Sequence, residues 1–148
     1  MIDTSNIEMI LDECRIEIQR NMADFDINAS MRTSNSFKVE KYEGGVRLVS
    51  RGDNIAPFAS IEQGNPPTWL PASVLRQWVI EKGIDFNSEE EREVFVRSLQ
   101  YKIGFEATER HRNPNFNVTT PPITDAVEKL KKEVTLSVMA EINSVIKE

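Results

Sequence analysis

The sequence predicts an α+β fold, a small antiparallel sheet with three to four packed helices and long helices at both the N- and C-terminal ends. Three observations carry this. Near the start, Ile7, Ile10, Leu11, Cys14, Ile18 and Met22 recur at steps of three and four, the period of one helical face. Near the end, Ile123, Val127, Leu130, Val134, Val138, Ile142 and Val145 do the same. Between them, Phe37 to Ser50 alternates like a hairpin folded about Gly44-Gly45. At 148 residues the chain reads as a single domain over residues 1–148, long enough to bury about two-thirds of its unfolded surface.

The first helix is expected from about Ser5 to Ala23, opened by a capping box of Ser5 with Glu8. In the hairpin, Phe37, Val39 and Lys41 point one way and Lys38, Glu40 and Tyr42 the other. Arg51-Gly52-Asp53-Asn54 is a turn cluster, and its Arg-Gly-Asp triplet reads as chance, not as a ligand for a cell-surface receptor. Ile55 to Ile61 then reads as a third strand, which Pro57 confines to a sheet edge or a bulge. Gly64-Asn65-Pro66-Pro67 ends it in a loop.

Pro71 suits the first turn of a helix running to Lys82, which buries Val74, Leu75, Trp78 and Val79 and stops at Gly83. Ser88 with Glu91 opens the next helix, whose acidic start matches the positive end of the helix dipole. Val94, Phe95, Leu99, Tyr101, Ile103 and Phe105 give that helix apolar residues on more than one face, as when a helix is covered on one side by its own sheet and on the other by something else, a neighbouring subunit being one candidate. The stretch 109–122 is a polar loop, or a loop plus a short strand through Phe116 and Val118. The last helix begins near Pro122 or Thr124.

The chemistry available is sparse. A single cysteine, Cys14, on an apolar helical face excludes a disulfide framework and a cysteine-rich zinc site. The single histidine, His111, lies between Arg110 and Arg112, and no second histidine can share a metal with it. Without a nucleophile, base and orienting partner in any recognisable pattern, no enzyme activity, cofactor or metal is expected. No apolar run reaches the ~18 residues of a membrane span, so no membrane partner is expected. Asp3, Glu8, Asp12 and Glu13 stand where a secretory signal carries positive charge, which predicts assembly in the cytoplasm.

Charge is unevenly placed. Residues 1–31 hold seven acidic and two basic side chains, a net of −5, whereas residues 32–52 hold two acidic and five basic, a net of +3. Such a reversal suits a solvated hairpin face, and it equally suits head-to-tail contact between identical subunits, with Lys38, Lys41 and Arg47 on the basic side. The overall net of −6 argues against tight nucleic-acid binding, although mixed charge around Arg110-His111-Arg112 suits a loop past which DNA slides.

The order of the central segments carries a resemblance. A strand pair leads into Ala56-Pro57-Phe58-Ala59-Ser60-Ile61-Glu62-Gln63-Gly64 and then Leu75-Arg76-Gln77-Trp78. From about Thr33 to the C-terminus this order resembles the tail-completion (head–tail joining, neck) proteins of tailed bacteriophages. The resemblance implies a structural virion protein that assembles in the host cytoplasm into a homo-oligomeric ring of the neck. Its partners would be itself, portal or connector proteins and tail-tube proteins, with DNA passing through the lumen without specific binding. It further implies subunit contacts from the hairpin and from the segment around Pro57, Phe58, Ile61 and Glu62, and Trp69 in the following loop is placed to meet either a neighbour or its own core. Alternatives are a tail-terminator or connector-adaptor subunit of a phage or mobile element, or a small non-viral adaptor binding a partner through its helices.

Overall fold

A computed structural model describes residues 4–26, 32–52, 58–114 and 117–146. The elements run α1 (Thr4–Asp24), α2 (Arg32–Asn35), β1 (Phe37–Tyr42), β2 (Gly45–Ser50), α3 (Phe58–Gln63), α4 (Ala72–Glu81), α5 (Glu89–Glu106), α6 (Glu109–Arg112) and α7 (Thr120–Ile146). The chain is thus α+β, with a small two-stranded antiparallel sheet between long helices at either end.

The first core forms where α1, the hairpin, α3 and α7 meet. Ile10, Cys14, Ile18 and Met22 of α1 are buried with Phe37, Ile61, Val118 and Ala126, and Leu48 and Leu130 pack against them. The apolar stripe of α1 is therefore the stripe that the sequence marks out. The helix already includes Thr4, so the expected cap residue Ser5 lies inside its first turn. In the hairpin Phe37 pairs with Ser50, Val39 with Leu48 and Lys41 with Val46, which places these six on one face. The turn residues are Glu43-Gly44, one position ahead of the expected pair, because Gly45 already pairs with Tyr42.

A second core lies between α4 and α5, from Leu75, Val79 and Val96, with Leu70, Ala72, Phe86, Leu99 and Ile103 packed against them. No sheet residue belongs to it, so α5 takes its cover from α4 where a sheet was expected. The ends of α4 follow the sequence closely. Pro71 stands at its N-cap, and Gly83 N–H donates to Ile80 O while Ile84 N–H donates to Val79 O, the two bonds of a Schellman cap. Only Leu75 and Val79 are buried on it, however. Val74 is half exposed and Trp78 is 36% exposed, so Trp78 is a flank of this core and not its centre. At the start of α5, Ser88 Oγ accepts from Glu91 N–H at 3.1 Å, while the Glu91 carboxylate accepts from Asn87 N–H at 2.9 Å. The reciprocal bond of the capping box has moved one residue outward.

The expected third strand is a correction. Residues 55–57 lie outside the described residues, but Phe58–Gln63 is helical. Proline is well accommodated at the start of a helix, and Ala59, Glu62 and Gln63 are good helix formers. A strand would place Ile61 and Glu62 on opposite faces; instead both are buried. The stretch 109–122 likewise holds a short helix, α6, and α7 begins at Thr120, ahead of the expected start. Phe116 of the expected short strand lies outside the described residues, and Val118 is buried in the first core.

The two long helices run antiparallel. Asn21 Nδ2 donates to Val118 O at 3.0 Å, Lys129 Nζ meets Glu13 Oε2 at 3.0 Å, and Asn6 Nδ2 donates to Glu133 Oε1 at 2.9 Å. Since Asn6 already stands in the opening turn of α1, roughly the last ten residues of α7, about 15 Å of helix, extend beyond the first described residue of α1.

Candidate interaction surfaces

A short polar segment ties the molecule together. Glu62, 6% exposed, reaches the first turn of α7, where its Oε1 accepts from Thr119 N–H and Thr120 N–H, each at 2.6 Å, and its Oε2 accepts from the Thr120 hydroxyl at 2.7 Å. A carboxylate at a helix N-terminus satisfies donors that lack an intrahelical partner and lies in the favourable end of the helix dipole. Burial alone would raise its pKa. The bonds from the Thr120 hydroxyl and from the Thr120 and Thr119 amides outweigh it, so the group sits below the ordinary glutamate range.

The residues around Glu62 continue the tie. Arg110 Nη1 donates to Ile61 O at 2.9 Å, and the Thr108 hydroxyl accepts from Asn65 N–H at 2.9 Å. Between them Gly64 has φ +69, and a Cβ there would lie 2.5 Å from His111 N and 2.4 Å from Thr108 Oγ1. Only glycine fits a backbone approach this close. The Arg110–Arg112 segment, the candidate for sliding DNA, is thus partly anchored: Arg110 is turned inward, while His111 and Arg112 are exposed. Residues 61–65 therefore bind α6 and α7 within the chain, and the buried Ile61 and Glu62 are not available as subunit contacts. Pro57 lies outside the described residues, and Phe58 is placed by its backbone alone, as the first residue of α3.

The basic hairpin also finds partners within the chain. Lys41 Nζ meets Glu8 Oε2 of α1 at 2.6 Å. Arg47 bonds Glu40 at 3.3 Å and stacks its guanidinium 5.1 Å from the centre of the Tyr42 ring. Lys38 is exposed and lines an open groove between α1 and β1 with Asp12, Arg15 and Gln19. The charge reversal between residues 1–31 and 32–52 is met in part by packing the hairpin on α1. Exposed pairs of this kind contribute little, about 0–1 kcal/mol each. Cys14 lies at the α1–α7 contact, its thiol pushed up by burial and further by Glu17 and Asp125.

Trp69, expected to meet either a neighbour or its own core, faces outward. It is 53% exposed and meets Tyr101 edge-on at 5.2 Å and Phe105 at 6.2 Å, while Tyr101 and Phe105 stack at 6.2 Å. The indole lies directly on the α5 backbone, where a Cβ at Gly104 would come within 2.5 Å of the ring. Thr68 N–H to Ile103 O and Gln100 Nε2 to Leu70 O, at 3.3 and 2.6 Å, hold the loop in place. Three aromatics fixed at the surface have the composition of interaction hot spots. Tyr101 and Phe105 were legible as part of a two-faced helix, but their meeting with Trp69 depends on how the loop folds back.

A further open apolar surface belongs to α7. Ala126, Leu130 and Glu133 face α1, and Pro122 and Ser137 lie on the same side of the helix, all buried or half-buried. Ile123, Val127, Val134, Val138, Ile142 and Val145 stand about a quarter-turn or more round the helix and remain 39–68% exposed. Met139 and Ile146 broaden this apolar sector toward the C-terminus, and Leu136 is exposed on the opposite side of the helix.

Among the described residues no group of histidine, cysteine and carboxylates is placed to hold a metal, and no helix is long and apolar enough to cross a membrane. Comparison of the chain with protein-family models, curated proteins and solved structures returns no match. The described residues thus form an α+β protein with open apolar surfaces that include the aromatic cluster on α5 and the seam of α7.

Proposed function

We propose that this protein is a structural subunit of the phage neck, assembling with copies of itself into a ring that joins the capsid connector to the tail, and that it performs no catalysis. The observation carrying this reading is the amount of apolar surface left open, the Trp69–Tyr101–Phe105 cluster and the α7 seam, on a chain rich in charged residues elsewhere. Contiguous apolar patches beyond a few hundred Å² mark interaction sites on folded proteins. The order of hairpin, Ile61-Glu62-Gln63-Gly64 segment and Leu75-to-Trp78 helix supports the particular assembly, through its likeness to head–tail joining proteins. DNA would pass through the lumen without specific binding, in keeping with the net charge of −6. Mixing the protein with capsid connectors and with tail tubes, followed by electron microscopy, tests the reading. A ring seated on the connector is the expected result, and absence of binding to either structure overturns it.

A small adaptor that binds a partner helix is the second reading, favoured by the exposed end of α7. It predicts a protein that captures one partner and forms no ring.

A further inference from the structure

We propose that α7 is the self-association element of this protein, packing lengthwise against α7 of other copies through Val127, Val134, Val138, Ile142 and Val145. The inference rests on the self-assembling reading above and names the surface that serves it.

The first argument is the mismatch of faces. α7 turns Glu133 and Ser137 toward the α1 side and leaves a continuous aliphatic seam beside them. Were α1 its only partner, the more apolar face would be expected to make the contact. On the side away from α1, Ile123, Val127, Val134, Val138, Ile142 and Val145 together present on the order of 500 Å², so two copies would bury about 1,000 Å² between them, the lower end of a specific interface. Glu141 is the one charged residue between Val134 and Ile146, so little charge opposes burial there.

The second argument identifies the occupant. Hollows on the open side of α7 are bounded by Val127, Leu130, Lys131 and Val134, and again by Val138, Glu141, Ile142 and Val145. Each includes a set at i, i+3, i+4 and i+7, the hole that a helix offers to one side chain of a facing helix; Glu128, Lys131, Lys132 and Thr135 bound another of the same spacing on the charged side, and the aliphatic rim is what sets these two apart. The two holes repeat after 11 residues, about 16 Å along the axis. The seam's own valines repeat at the same interval, Val127 to Val138 and Val134 to Val145. A second α7 laid alongside therefore presents its knobs at the pitch of the holes. An 11-residue period also predicts helices that pack straight or with a slight right-handed supercoil, unlike the left-handed supercoil of a heptad seam.

Sedimentation velocity of the full chain, beside a Val138→Glu/Ile142→Lys double variant, tests this. The parent is expected to be oligomeric at tens of micromolar, and the variant at least tenfold weaker in self-association with an unchanged thermal melt, since both positions are exposed in the monomer. A Val138→Cys variant should form a disulfide-linked dimer under mild oxidation, whereas the parent, whose Cys14 is buried, should not. A variant that self-associates as the parent does, or a parent that stays monomeric at several hundred micromolar, overturns the inference. Either result leaves open a ring built through other surfaces on the connector. Failure to bind connectors, with α7 pairing intact, overturns only the neck assignment.

Discussion

α1 and α7 lie side by side, and both announce themselves by the same periodicity, yet one buries its apolar face and the other leaves most of it open. The stripe of α1 meets the hairpin, α3 and α7 at once, and Ile18 and Met22 are fully enclosed. The seam of α7 points past α1, which takes only Ala126 and Leu130 from the apolar side. Periodicity therefore reports that a face is apolar, and burial depends on whether another element of the same chain is there to cover it.

Substitutions in the two helices test this difference most directly. Ile18→Ala should produce the largest effect, a loss of about 3–4 kcal/mol in denaturant unfolding, because it empties space in an enclosed core. A loss under ~1 kcal/mol would mean that the α1 side of the comparison is misplaced.

Glu62→Ala comes next, with an expected cost of about 2–4 kcal/mol, since it strands two amides at the start of α7 and one hydroxyl. Glu62→Gln separates charge from hydrogen bonding. The folded carboxyl is held below its ordinary value of ~4.3, so its contribution is fully present above that pH and fades as pH falls through the folded value. The stability gap between parent and Glu62→Gln should thus be widest near neutral pH and narrow on acidification below ~4. A gap independent of pH would show that the carboxylate does not cap α7.

Trp78→Ala should cost about 1–2 kcal/mol, below the range for an enclosed aromatic, because its face on α4 is only partly covered. A cost above ~3 kcal/mol would return it to the core. The smallest effect on the monomer is expected for Val138→Ala, within ~0.5 kcal/mol, as for exposed sites in general. Measured on the monomer, a larger loss would show that the seam is covered within one chain.

The fold was legible where local chemistry decides it. The Schellman cap at Gly83, the Ser88 cap and the β1–β2 register all depend on neighbours within a few residues, and each stands within a residue of its expectation. The segment through Ile61 reads as a strand in the sequence because Ile55, Phe58 and Ile61 suit either structure, and what selects a helix is the docking of Ile61 and Glu62 against residues nearly sixty positions away. The same distance hid the aromatic cluster, where Trp69 meets Tyr101 only after the loop crosses α5.

By itself, then, the amino-acid order determined that this chain is α+β, that its terminal helices are long and amphipathic, and where its central helices stop. Capping donors, turn glycines and three-to-four spacing act over one or two turns of backbone, so the pattern alone contains them. The tertiary structure decided which apolar faces are spent inside and which are left for another molecule. That choice depends on the lengths and directions of elements packed against one another: α7 outruns α1, and Glu62 sets where α7 begins.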